Sequence, residues 1–244
     1  MSKNKDTTAD LTRGQVAYEN LRSDILHGHF APGTPLRLQA LKERYNLSFS
    51  PLREALNRLQ SERLVEGVAA RGFRVPGVSI AEMWDAMEMR ILIDCEGIRR
   101  SLDRGDDAWE VRVLGSFHSL SVYYKRMQSL GRTTTEERYE LESRHETFHA
   151  TLISASESDW LKRYSSQLYE QTQRYRWPFF TASADTAFLR QSYIEQHQEI
   201  AERAVARDPE AVSLLAKSLR RTGEVIELMS QSENSTGFAL ASLV

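Results

Sequence analysis

The sequence predicts a mainly α chain in two parts: three helices closed by a small β-hairpin, then an all-α antiparallel helical bundle. Three observations carry this expectation. Up to about residue 77, short helical patterns alternate with Gly/Pro turns and end in two β-leaning runs. Beyond Pro76-Gly77 the 3.6-residue periodicity continues to about Gln231 with no strand signal. Charge divides at the same place. Residues 1–78 hold 12 Lys/Arg against 8 Asp/Glu, a balance of +4, whereas the remainder carries −6 within a net charge of −2.

The elements follow in order. Residues 1–10 are polar and read as a disordered tail. A helix runs from about Arg13 to His27, with Tyr18, Leu21 and Ile25 on one face. Gly28 and the turn Ala31-Pro32-Gly33-Thr34-Pro35 end it. A short helix covers Leu38–Tyr45, and the polar turn Asn46–Ser50 follows. The third helix spans about Pro51–Arg63, with Ser48 or Ser50 as cap, Pro51 in the tolerant first turn, and Leu52, Ala55, Leu56 and Leu59 inward. Leu64–Val68 and Gly72–Val75 form a hairpin around Ala69-Ala70-Arg71-Gly72.

Pro76-Gly77 ends a first domain, residues 11–77. Ser79 and Glu82 stand at capping-box spacing and open a helix to about Leu102, which Gly105-Asp106-Asp107 breaks. Further helices fit to Leu130 and over Thr134–Ser154, Ser158–Arg176, Ala187–Arg207 and Pro209–Gln231. Together they make a second domain, residues 78–231, and 232–244 read as a flexible tail.

Composition narrows the class. No apolar run approaches the roughly 20 residues that cross a bilayer, and the N-terminus lacks the apolar core of a signal peptide. The lone Cys95 lies in an apolar helical pattern and reads as a buried thiol of a reducing cytoplasm.

Three helices and a hairpin in this order outline a winged helix-turn-helix, whose third helix enters the DNA major groove. Opposite its buried stripe lie Arg53, Asn57 and Gln60. Arginine binds guanine bidentately, and Asn or Gln pairs with adenine. Ser48 and Ser50 at the helix start suit phosphate contacts, and Gln39 and Phe49 are further candidates for DNA contact. Arg71 and Gly72 at the hairpin tip suit the minor groove. The bland alternative is a solvated helix face beside an unrelated loop.

Leu41-Lys42-Glu43-Arg44-Tyr45, Ser48-Phe49-Ser50-Pro51-Leu52-Arg53-Glu54-Ala55-Leu56, Arg58-Leu59, Leu64-Val65 and Gly72-Phe73-Arg74-Val75 resemble the GntR family of bacterial regulators. Gly28, Pro32-Gly33 and Leu36 match the family's exit from its first helix, and the later helices resemble the ligand-binding domain of its FadR branch. The resemblance covers about residues 14–230. Phe49 departs from the pattern, since an arginine is frequent there. Leu41–Leu56, Gly105–Glu110 and Gln173–Arg176 further resemble the carbon-starvation-induced regulator subgroup, which implies a dicarboxylate such as glutarate as effector.

His145-Glu146-Thr147-Phe148-His149 spells H-E-x-x-H on a helix, the spacing of zinc peptidases with Glu146 as base. The extended form, with a glycine and third histidine a few residues on, is absent, and Glu170 is the remaining candidate ligand on that reading. The resemblance implies a different role. Many FadR-branch domains hold a metal with Asp and His four residues apart plus two later histidines. Phe148-His149 and His197 match that pattern, His145 stands in the aspartate's place, and Ser218 or Leu219 stands where the last histidine belongs. Three readings stay open: His145, His149 and His197 hold Zn²⁺ or Ni²⁺, form a metal-free anion pocket, or are structural.

Arg90 matches an arginine that often faces the effector cavity in such domains, where a guanidinium suits a carboxylate. The alternative is a surface salt bridge to Asp94. Arg174 and Arg176 are weaker candidates at a helix end. The expected protein is a cytoplasmic homodimeric regulator, a repressor rather than an enzyme. It binds double-stranded DNA at a short inverted repeat and answers to a small carboxylate.

Overall fold

The computed structural model describes residues 12–69, 71–130, 134–181 and 187–236. They fall into two compact units, with the chain passing from one to the other at Val78–Ser79.

The first unit holds α1 (Arg13–Leu26), β1 (Pro35–Leu36), α2 (Leu38–Tyr45), α3 (Phe49–Ser61), β2 (Glu66–Val68) and β3 (Gly72–Arg74). Thr12 caps α1 by accepting a hydrogen bond from the Gln15 N–H. The inward stripes of all three helices meet in one core of Ala17, Leu21, Ile25, Leu41, Leu52, Leu56 and Leu59, closed below by Leu64, Val65 and Val75. Asp24 on α1 binds both Arg44 and the Tyr45 hydroxyl, which ties α2 to α1. The turn from α2 to α3 passes through Asn46, whose φ of 52° is tolerated by Asn better than by most residues.

The hairpin is one strand richer than expected. β1 pairs with β3 antiparallel, Pro35 opposite Arg74 and Leu36 opposite Phe73, so the sheet order is β1-β3-β2. A two-residue strand that begins with proline carries no period-2 signal, which hides it in the sequence. Pro35 fits because it stands at the start of an edge strand, where a missing N–H is tolerated.

The second unit holds α4 (Ile80–Arg104), α5 (Asp107–Leu130), α6 (Thr135–Leu152), α7 (Asp159–Thr181), α8 (Ala187–Val205) and α9 (Glu210–Thr236). α4 packs on α7 and α9, α5 packs on α6 and α8, and α8 packs on α9. Met83, Met87, Ile98, Trp109, Phe148, Leu152, Ile200 and Leu215 form its core. Ser79 does cap α4 by accepting from the Glu82 N–H, but the Glu82 carboxylate turns to Arg174 rather than completing a capping box. The full box forms at α6, between Thr134 and Glu137. Gly105 breaks α4 from α5 with no room for a side chain, since a Cβ there would meet the Trp109 ring at 2.4 Å. Arg207 staples the α8–α9 corner to this break through the carbonyls of Leu102 and Gly105 and the Glu110 carboxylate.

Several helix boundaries differ from expectation, and three of them bear on the sites. α3 begins at Phe49, so Pro51 is its third residue. α7 continues past Arg176 to Thr181, and α9 continues to Thr236, into the stretch expected as a flexible tail. The expected tails at 1–10 and 237–244 lie outside the described residues. Among the described residues, no helix is long and apolar enough to cross a membrane.

Candidate functional site

In the first unit α3 turns Leu52, Ala55, Leu56 and Leu59 inward, which leaves Ser50, Arg53 and Asn57 exposed on its other face. Ser48 is the N-cap by position and makes no side-chain cap hydrogen bond. Phe49, the first residue of α3, is exposed, and the Lys42 ammonium of α2 stands 5.2 Å from its ring. Gln39 is exposed on α2 and donates to Glu43. At the hairpin tip the Arg71 N–H returns to the Val68 carbonyl, and Gly72 adopts φ 86°, a conformation that explains the glycine. One member of the expected α3 row is set apart: Gln60 lies against the hairpin, so close that a Cβ on Gly67 would meet its Nε2 at 2.7 Å.

In the second unit α6 presents Glu142, His145 and His149 inward at i, i+3 and i+7, and α8 presents Tyr193 and His197 at i and i+4. The three imidazoles meet edge to edge. His145 Nε2 stands 2.9 Å from His149 Nε2 and 3.2 Å from His197 Nε2, and the third side is also 3.2 Å. All three side chains are buried.

Their outer nitrogens fix what the inner ones offer. His197 Nδ1 lies 2.6 Å from the Tyr193 carbonyl, which only accepts, so Nδ1 carries the proton. His145 Nδ1 lies 2.6 Å from the Tyr169 hydroxyl, whose own proton goes to Glu142, so this Nδ1 also donates. Both Nε2 atoms therefore present lone pairs to the same point. The Tyr193 hydroxyl also lies against His145 Nε2, and among the described residues the buried His149 Nδ1 has no hydrogen-bond partner.

Burial, and then the neighbouring positive groups, holds His145 and His149 well below the ordinary histidine range, and burial pushes His197 down to about 4. An unfolded chain's histidine titrates near about 6.5, so between that value and about 4 the unfolded chain binds more protons than the folded one. Stability is then expected to fall as pH drops through this window. Urea midpoints of metal-free protein at pH 7 and pH 5 check this, and an unchanged or higher midpoint at pH 5 contradicts it.

Two guanidiniums flank the cluster across the Tyr169 ring, Arg90 at 4.5 Å and Arg176 at 4.7 Å from its centroid. Arg90 and Asp94 do pair at i, i+4, at 3.1 Å, but the pair is fully buried rather than on the surface. Asp94 accepts from Ser165, and Arg90 donates to Thr172. Among the described residues, the buried Arg90 Nη2 has no hydrogen-bond partner. Arg176 forms a second buried ion pair with Glu142.

The structure thus brings Arg90, Asp94, His145, His149 and His197 together, and it does not bring Arg174 there. Arg174 pairs instead with Glu82 and the Tyr175 hydroxyl. Arg176 takes the inward position because Tyr169, Thr172 and Arg176 share one α7 face at i, i+3 and i+7. The expected end of α7 at Arg176 places both arginines at a helix end, whereas the helix passes through Pro178 to Thr181. Glu142, Tyr169, Thr172 and Tyr193 were missed as well. Their helical phase relative to the histidines was the signal that could have found them.

Comparisons with known proteins agree for both units. Residues 13–75 match the bacterial regulatory proteins of the gntR family, and residues 85–221 match the FCD domain. The chain is 36% identical over 203 residues to the HTH-type transcriptional regulator BphR of Paraburkholderia xenovorans, covering 83% of this chain and 80% of that one. It is 31% identical over 202 residues to the HTH-type transcriptional repressor GlaR of Escherichia coli, covering 82% and 89%. Among solved structures, E. coli McbR/YncC shares the fold with a TM-score of 0.74 at 18% identity, over 91% of this chain and 100% of that one. The peptidase reading of the H-E-x-x-H segment falls with these matches, because these relatives are transcription regulators. The chain belongs to the GntR family, a DNA-binding transcription regulator whose FCD domain is its effector-binding part and not an enzyme.

Proposed function

We propose that this protein is a homodimeric repressor whose grip on a short inverted-repeat operator changes when a small carboxylate binds beside His145, His149 and His197. The observation that carries the sensor half is the convergence of three Nε2 atoms beside an arginine donor with no partner.

The residues fit a divalent metal. Nitrogens bound about 2.0–2.1 Å from one ion at angles of about 90–110° stand roughly 2.8–3.4 Å apart, a range that holds the 2.9, 3.2 and 3.2 Å found here. Two of the three rings also have the outer donor bond that metal-ligating histidines use to fix their tautomer, one of them relayed to a carboxylate. His145, His149 and His197 would hold Zn²⁺ or Ni²⁺, which supplies positive charge and open positions for an oxygen ligand. Arg90 Nη2 would take another carboxylate oxygen, and Asp94 with Thr172 holds that guanidinium in place. The subgroup resemblance favours a dicarboxylate. A metal-free anion pocket built on the same residues is the second reading, supported by the partnerless Arg90 Nη2.

On the DNA side Arg53 and Asn57 read base edges. Ser48, Ser50, Phe49 and Gln39 border the backbone, and Arg71 with Gly72 reaches the minor groove. The effector needs a differential affinity of only a few kcal/mol between the two DNA-binding states to switch transcription. Arg53→Ala is expected to weaken specific binding by about 1–3 kcal/mol. Fluorescence anisotropy on a duplex that the wild-type protein selects from a random library measures it. Equal affinities for that duplex would remove Arg53 from the reading face.

A further inference from the structure

The outward face of α5 carries the wrong residues for a helix in water. Trp109, Val113, Leu120 and Tyr124 point into the core. On the opposite side successive positions are Val111, Leu114, Gly115, His118 and Val122. Val111 is 69% exposed, Leu114 45% and Val122 50%. Outward faces of neighbouring helices are ordinary: α6 shows Glu136, Glu140, Ser143 and Thr147, and α8 shows Glu195, Gln198, Glu199 and Glu202. Three exposed aliphatic side chains aligned on one helix face mark an interaction site.

Gly115 adds an independent sign. A mid-helix glycine is about 1 kcal/mol less favourable than alanine, yet a Cβ at Gly115 would meet nothing within 4 Å. Among the described residues, no neighbour requires the glycine. A second helix approaching closely would.

The stripe also matches itself. If two α5 helices pack antiparallel about a two-fold axis between Ser116 and Phe117, Val111 falls opposite the partner's Val122, and Gly115 falls opposite the partner's His118. One turn further out, exposed Asp107 falls opposite the partner's Arg126, so each end of the stripe carries the charge that the other attracts. Leu114 falls opposite the partner's Ser119, at the margin of the stripe, and an isologous contact makes each of these pairings twice.

We infer that the α5 stripe Asp107–Val111–Leu114–Gly115–His118–Val122–Arg126 is the surface through which two copies of this chain join, antiparallel, with Gly115 at the close approach. The inference rests on the homodimer reading above and gives it a specific surface.

Sedimentation velocity over a concentration series on the full-length protein tests it, with circular dichroism checking the fold. Val122→Glu places two carboxylates in the contact and is expected to raise the dimer dissociation constant at least about 30-fold, the scale of a hot-spot residue. Its helical signal stays unchanged, because Val122 is exposed in the single chain. Gly115→Leu is expected to act in the same direction. Asp107→Arg and Arg126→Asp, each alone, oppose like charges and weaken association, whereas the two together restore it. A protein that is a dimer and stays equally tight in Val122→Glu and Gly115→Leu overturns the α5 surface while leaving the dimer standing. A wild-type protein that is monomeric throughout the series overturns both. Failure of the charge swap to restore association overturns the antiparallel register.

Discussion

Arg176→Met is expected to destabilise the second unit by about 3–5 kcal/mol, because it leaves the buried Glu142 carboxylate without its counter-ion. Glu142 Oε1 would keep only the Tyr169 hydroxyl, and its Oε2 has no partner even in the intact protein. The side chains of the Arg176–Glu142 pair are 4% and 2% exposed, so water cannot substitute for the lost arginine. All four tryptophans, Trp84, Trp109, Trp160 and Trp177, lie in the second unit, so the change in their emission during urea unfolding follows that unit alone. Removing both charges with Arg176→Met and Glu142→Leu together is expected to recover much of the loss, since an apolar pair of similar volume is often no worse than a buried ion pair. A single variant within 1 kcal/mol of wild type would show that the pair is not load-sharing in the core.

The second large effect concerns the histidines. His149→Ala removes one of three convergent nitrogens, and it is expected to lower Zn²⁺ or Ni²⁺ affinity by more than about 100-fold, the upper end of what loss of a mere outer partner costs. Competition titration against a chromophoric chelator measures this. Tyr169→Phe is a graded companion. It deletes the hydroxyl that accepts the hydrogen bond from His145 Nδ1–H and leaves all three ligand nitrogens in place, so its loss is expected to be about 10–100-fold. Equal affinity in wild type and His149→Ala would place the metal elsewhere or nowhere.

Much of this was legible in the sequence because its signals are local. The α3 stripe of Leu52, Ala55, Leu56 and Leu59 follows from 3.6-residue periodicity, and the same periodicity leaves Arg53 and Asn57 outward. His145 and His149 share a face for the same reason. What stayed hidden depends on tertiary neighbours. β1 is two residues long and exists only because β3 lies beside it. The Arg90–Asp94 spacing reads equally as a surface pair, and only the packing of α7 against α4 buries it. Gln60 belongs by phase to the DNA-reading row, yet the returning hairpin draws it aside. Arg174 and Arg176 differ by two residues and therefore point to different sides of α7. Ending the helix at Arg176 removed the phase that separates them.

Metal content of the purified protein, combined with its thermal shift against mono- and dicarboxylates with and without chelator, tests the proposed sensor most directly. The metal-held site predicts about one Zn²⁺ or Ni²⁺ per chain and a carboxylate-induced rise in melting temperature that chelator abolishes. A metal-free protein that a carboxylate stabilises equally with and without chelator would contradict it, and would assign the effector to Arg90 and the histidines alone.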